Sequence, residues 1–111
     1  YDQKSNIMKI QFNTDKNIEG TAALETFVSK KINSGLKHLS DKVTRVEVHL
    51  SDQNADKEGS DDIQCKIEAR IQGKQPVIVA SKSESKEKAI DDAVEKMKAR
   101  LGTIIGKMKN K

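Results

Sequence analysis

The chain has 111 residues, room for one core, since a second would need roughly another hundred. Apolar residues make up 34% and charged residues another 34%, which excludes a membrane protein and leaves a highly charged soluble domain with a thin core. The formal charge of +4 is unevenly spread: the last sixteen residues hold six cations and no acid, while residues 52–62 hold five acids and one lysine. A basic block of this kind suits a polyanion partner, and equally a solvated helix end whose cations complement the dipole.

The first seven residues, YDQKSNI, are polar and read as a native extension or a cloning remnant, with Met8 the candidate natural start. Residues 8–111 are expected to form one α+β domain. Met8, Ile10 and Phe12 alternate with Lys9, Gln11 and Asn13, the pattern of a strand with one buried face. Asp15, Asn17 and Gly20 break it, and Thr21 is placed to cap a helix. Leu24, Phe27, Val28, Ile32, Leu36 and Leu39 then recur at helical spacing, ending near His38–Asp41.

Alternation returns at Val43, with Val46, Val48 and Leu50 on one side and Arg45, Glu47, His49 and Ser51 on the other. Ser51–Asp62 reads as a long acidic loop. A third strand follows, Ile63, Cys65, Ile67, Ala69 and Ile71 inward, with Gln64, Lys66, Glu68 and Arg70 outward. Gly73-Lys74 marks a hairpin turn, and Pro76 opens a short strand over Val77–Ala80. Ser81–Ser85 reads as a turn. The last helix carries Ile90, Ala93, Val94, Met97, Leu101, Ile104 and Met108, weakened by Gly102 and Gly106, which also leave room for a close approach.

The order β-α-β-β-β-α predicts a two-layer sandwich resembling a double-stranded-RNA-binding domain. Four strands make one sheet, two helices cover its apolar face, and the other face stays wet. The first two strands are joined through a helix and should run parallel if adjacent. Opposite charges on the wet face are expected to pair across strands.

Candidate chemistry is sparse. At about 100° per residue, Lys96, Arg100 and Lys107 fall in one row beside the apolar stripe of the last helix. Lys31 and Lys37 of the first helix are expected to extend that row. A continuous basic surface suits a phosphate backbone, and the same row also fits a solvated flank. Three aromatics, Tyr1, Phe12 and Phe27, are too few for recognition by base stacking. The acidic loop alternates Asp52, Asn54, Asp56 and Glu58 as a calcium loop does. Lys57 stands where that loop needs glycine and Ile63 where it needs glutamate, so the match fails. His38 suits a helix end, and His49 stands on an exposed strand face. Cys65, the single cysteine, sits among inward aliphatics, as a small buried hydrophobe would. A lone cysteine allows no internal disulfide and fits a reducing cytosol. No phosphate loop, metal cluster or catalytic constellation is visible, so neither an enzyme nor a cofactor is expected.

The stretches DKNIEGT (15–21), RVEVHLS (45–51), VIVAS (77–81) and AIDDAVEKMKARL (89–101) resemble, in that order, the ribosome hibernation promoting factor family. That family includes the ribosome-associated inhibitor called protein Y. The resemblance runs from Met8 to about Lys107, with DDIQCKIEARIQGKQP (61–76) the mark of a divergent branch. It implies a cytosolic, non-catalytic protein that binds the decoding channel of the small ribosomal subunit and blocks the mRNA and tRNA sites sterically. By position, Lys31 and Lys37 match basic sites of the family's first helix, Lys82 one in the turn before the second, and Lys96 and Lys107 sites on the second. A family arginine falls on Ala99, with Arg100 beside it. The acidic loop, longer than in better-known members, is expected to point away from RNA. The chain resembles the short form, without a further dimerisation domain. Two alternatives stay open: a general double-stranded RNA binder, and a protein-interaction module using the wet sheet face or the acidic loop.

Overall fold

Period-two and period-3.6 patterning resolve into six elements in the computed structural model of the chain, which describes residues 9–15, 18–39, 42–52 and 63–109. These are β1 (Lys9–Thr14), α1 (Ala22–Leu36), β2 (Val43–Asp52), β3 (Ile63–Ile71), β4 (Val77–Ser83) and α2 (Lys86–Lys109), with a short 3-10 turn, Lys37–Leu39, closing α1. The 1–7 extension, Met8, the acidic stretch 53–62 with its calcium-loop positions, and the side chains of His38 and Met108 lie outside the described residues.

The strands form one sheet in the order β1-β2-β3-β4. β1 is parallel to β2, as the intervening helix requires, and the other neighbours are antiparallel. Both helices pack on the apolar face, α1 against β1 and α2 against β3 and β4. The expected two-layer α+β architecture with one open face is therefore the observed one. Its core joins Val28, Ile32 and Leu36 of α1, Val46, Val48 and Leu50 of β2, Ile67 of β3, and Ile90, Met97 and Leu101 of α2, all essentially inaccessible to water. Each such side chain contributes about 1.5–3 kcal/mol of transfer free energy.

Local chemistry sets the element ends. The Thr21 hydroxyl accepts from the Leu24 N–H at 3.1 Å and caps α1, and Ser85 caps α2 by accepting from Lys88 N–H at 3.1 Å. In the β3–β4 turn the Lys74 N–H donates to the Ile71 carbonyl at 3.0 Å. Gly73 supplies the positive φ, 78°, that the third residue of such a turn needs.

Three details depart from expectation. β4 continues through Ser83, and Ser81 and Ser83 are buried on its inner side, so the turn shrinks to Glu84-Ser85. Val43 and Val46 both point inward although their parity differs, because a bulge between Val43 and Arg45 adds a residue to β2. In α2 the stripe follows the four-residue spacing Met97, Leu101, Ile105; Ile105 is buried, and Ile104 packs only partly against the core.

The helices meet closely at Gly35, where a Cβ would come within 2.8 Å of a Val94 methyl. Gly102 and Gly106 differ: beyond the adjoining residues and backbone of α2 itself, nothing among the described residues lies within 4 Å of a Cβ built on either. No helix among the described residues is long and apolar enough to cross a membrane.

Candidate nucleic-acid interface

α2 follows β4 through a tight turn and runs back along it. The Lys96 ammonium donates to the Ala80 carbonyl of β4 at 2.9 Å, which shows that its flank of the helix faces β4. With Lys96 at the origin, Arg100 and Lys107 fall within about 40° of it. The row therefore lies on the β4 flank of α2, and all three side chains are exposed. Beyond Lys96 the helix rises about 20 Å to its end, while β4 has only about 10 Å left to its start. Lys107 is thus carried past the start of β4.

Lys82 is exposed on β4 itself, opposite Gln64 of β3, rather than in a turn. It belongs to the open sheet face next to the same edge as Lys96. Lys31 lies elsewhere. Its ammonium sits 2.8 Å from the Asp91 carboxylate and 5.7 Å from the centre of the Phe27 ring. Asp91 is about 220° from Lys96 on the α2 wheel, on the flank that faces α1. The expectation that Lys31 prolongs the α2 row is thus corrected: α1 meets α2 on the opposite flank. Lys37, exposed, opens the 3-10 turn after α1, at the end of the sheet where β2 starts.

The open face carries a pattern that the residue alternation does not reveal. The register sets Lys9 beside Arg45 and Arg45 beside Arg70, then Glu47 beside Glu68, then His49 beside Lys66. On the first two of these rungs like charges face each other, so the expected cross-strand pairing of opposite charges does not occur there. Neutralisation runs along each strand instead: Arg45 to Glu47 at 2.7 Å and Arg70 to Glu68 at 3.6 Å. His49 Nε2 lies 3.4 Å from Glu47, and Arg45 also donates to the Gln11 side-chain oxygen.

The two ends of the sheet differ in charge. Lys9, Lys37, Lys42, Arg45, Arg70 and Lys74 gather where β2 begins and β3 finishes; at the other end Asp15, Glu19, Asp52, Glu84 and Glu87 are mixed with Lys82, Lys86 and Lys88. Strand direction and helix reversal bring together cations that are scattered along the sequence.

Cys65 is buried opposite Leu50, and burial pushes its thiol up from 9.0 to about 12, which keeps it protonated. Among the described residues no group of three or more His, Cys, Asp or Glu is placed to hold a metal ion. Phe12 and Phe27 both pack partly against the core.

A family model described as Sigma 54 modulation protein / S30EA ribosomal protein matches residues 12–109. Among solved structures, the chain is similar to the N-terminal domain of protein Y from Thermus thermophilus, with a TM-score of 0.71 and 22% identity over 87% of this chain and 99% of that one. It is also similar to a ribosomal subunit interface protein from Coxiella burnetii, with a TM-score of 0.73 and 14% identity over 89% of this chain and 99% of that one. No curated protein sequence matches. The resemblance to the hibernation promoting factor and protein Y family, read from short stretches, thus holds for nearly the whole chain.

Proposed function

This chain belongs to the Sigma 54 modulation protein / S30EA ribosomal protein family, and from that premise we propose that it is a non-catalytic ribosome-binding factor that silences idle ribosomes. Its target is the small subunit and its ribosomal RNA, at the decoding channel. The family match over residues 12–109 carries this reading, and the Coxiella neighbour, a ribosomal subunit interface protein, agrees with it. The mechanism is steric. A pre-formed sandwich, its surface rich in cations, occupies the channel that mRNA and tRNA need. Phosphate contacts of this kind position a protein without reading sequence.

Lys96, Arg100 and Lys107 along the β4 flank supply one line of contacts, with Lys82 beside them on the sheet and Lys31 and Lys37 on the α1 side. The two phenylalanines pack against the core, which favours backbone contact over base stacking. Such binding needs no cofactor and proceeds in the cytoplasm, where ribosomes are.

Co-sedimentation with small subunits and whole ribosomes across a salt series tests the proposal. Pelleting that weakens steeply with salt and is displaced by tRNA plus mRNA is expected. No pelleting at low salt overturns it, and equal affinity for free duplex RNA transfers the reading to a general double-stranded RNA binder.

A further inference from the structure

We propose that Arg45 and Arg70 form a clamp for an RNA phosphodiester on the open sheet face, separate from the helix row. The inference rests on the RNA-binding reading above and adds a second contact surface to it. Arg45 and Arg70 are direct cross-strand partners on β2 and β3, and their side chains are 44% and 55% exposed. Partners in that relation have Cα atoms about 4.5–5.5 Å apart, so the two guanidinium groups can reach a single phosphate. Lys9 continues the rung on β1, while Lys42 precedes β2 and Lys74 lies in the β3–β4 turn at the same end of the sheet.

The arrangement works against stability. Like charges directly opposite repel. Exchanging Glu68 and Arg70 would give two attractive cross-strand pairs with the same composition. A rule broken where a simple alternative exists points to a use for the broken arrangement. The carboxylates do not cancel that use. Glu47 and Glu68 lie two residues along the same strands and engage Nη2 of each arginine, as does Gln11 for Arg45. Nη1 and Nε of both groups keep their donors. The two arginines are thus held from one side and open on the other. Guanidinium donors in a fixed fork match the oxygens of a phosphate.

The test is the double exchange Glu68→Arg with Arg70→Glu, which leaves net charge unchanged and puts an acid opposite Arg45 and a base opposite Glu47. Binding is measured to purified small ribosomal subunits and, separately, to an unstructured oligouridine; denaturant unfolding is measured alongside. The exchanged protein is expected to be at least as stable and to bind both RNAs about tenfold more weakly, the effect of losing a charged hydrogen bond. Unchanged affinity overturns the clamp while leaving the ribosome reading intact. If the parent protein binds oligouridine but not subunits, the ribosome reading falls and oligouridine alone judges the clamp; if it binds neither, both fall. Should the exchange unfold the domain, Arg45→Lys with Arg70→Lys keeps every charge and removes only the forked donors. Weaker binding with an unchanged salt slope is then expected, and unchanged affinity overturns the clamp.

Discussion

The Lys31 ammonium lies 2.8 Å from the Asp91 carboxylate and ties α1 to α2 across their contact. Both side chains are substantially exposed, 40% and 52%, so the pair contributes at most about 1 kcal/mol to stability. Its larger effect is on availability, since a lysine held by a carboxylate must leave it to meet a phosphate. Asp91→Asn is therefore expected to leave the unfolding midpoint nearly unchanged and to tighten ribosome binding by no more than about fivefold. Weaker binding in that variant would remove Lys31 from the interface.

For the α2 row, replacing Lys96, Arg100 and Lys107 together by glutamine is expected to reduce the magnitude of the salt slope by about 2–3. Lys98, exposed and about 200° from Lys96 on the other flank, is the control, and Lys98→Gln should leave the slope nearly as it was. A slope change per charge removed that is equal on the two flanks would show that the row acts only through total charge.

The helix contact at Gly35 gives a prediction of opposite signs at two glycines. Gly35→Ala would force a methyl against Val94, whose branched side chain is buried and stiff. Overpacking of about 1–3 kcal/mol outweighs the roughly 1 kcal/mol of helix propensity gained. Gly102→Ala meets nothing and should stabilise by up to about 1 kcal/mol. Denaturant unfolding of both variants, and of Gly35→Ala combined with Val94→Ala, checks this. The combined variant should lose less than the two single costs added together.

Cys65 titrates within the core. Its folded thiol is pushed up to about 12 by burial, against an ordinary value of 9.0. Below pH 9 both folded and unfolded thiols are neutral, and the thiol's contribution is fully present. Between about pH 9 and 12 the unfolded chain releases a proton that the folded chain keeps, so stability falls as pH rises. The unfolding free energy along that range should fall more steeply for the parent than for Cys65→Ala. At neutral pH the thiol should resist alkylation until denaturant is added, and rapid modification of the native protein would contradict this.

Much of the fold was legible because it depends on parity. Val46, Val48 and Leu50 alternate with charges, and the sheet follows. Thr21 was readable as a cap because its hydroxyl precedes an apolar helical run. Misreadings arose where a local pattern gives no sign of the packing. Ser81 and Ser83 occupy inward strand positions with small polar side chains, so β4 looked shorter than it is. The bulge at Thr44 was hidden because Val43 alone does not reveal which way it points. The candidate cations were found by type, but their grouping needed tertiary structure. The flank α1 takes against α2 decides that Lys31 meets Asp91, and the β2–β3 register decides that Arg45 meets Arg70 rather than Glu68.

The unequal charge of the two sheet ends bears on association kinetics. With cations gathered where β2 starts, and acids mixed with lysines where it stops, the domain is more positive at one end of its strands than at the other. In the field of a polyanion it turns before it touches, leading with the end that bears Arg45, Arg70 and Lys74. Fewer encounters are then wasted on wrong orientations, and added salt should slow arrival more than it hastens departure.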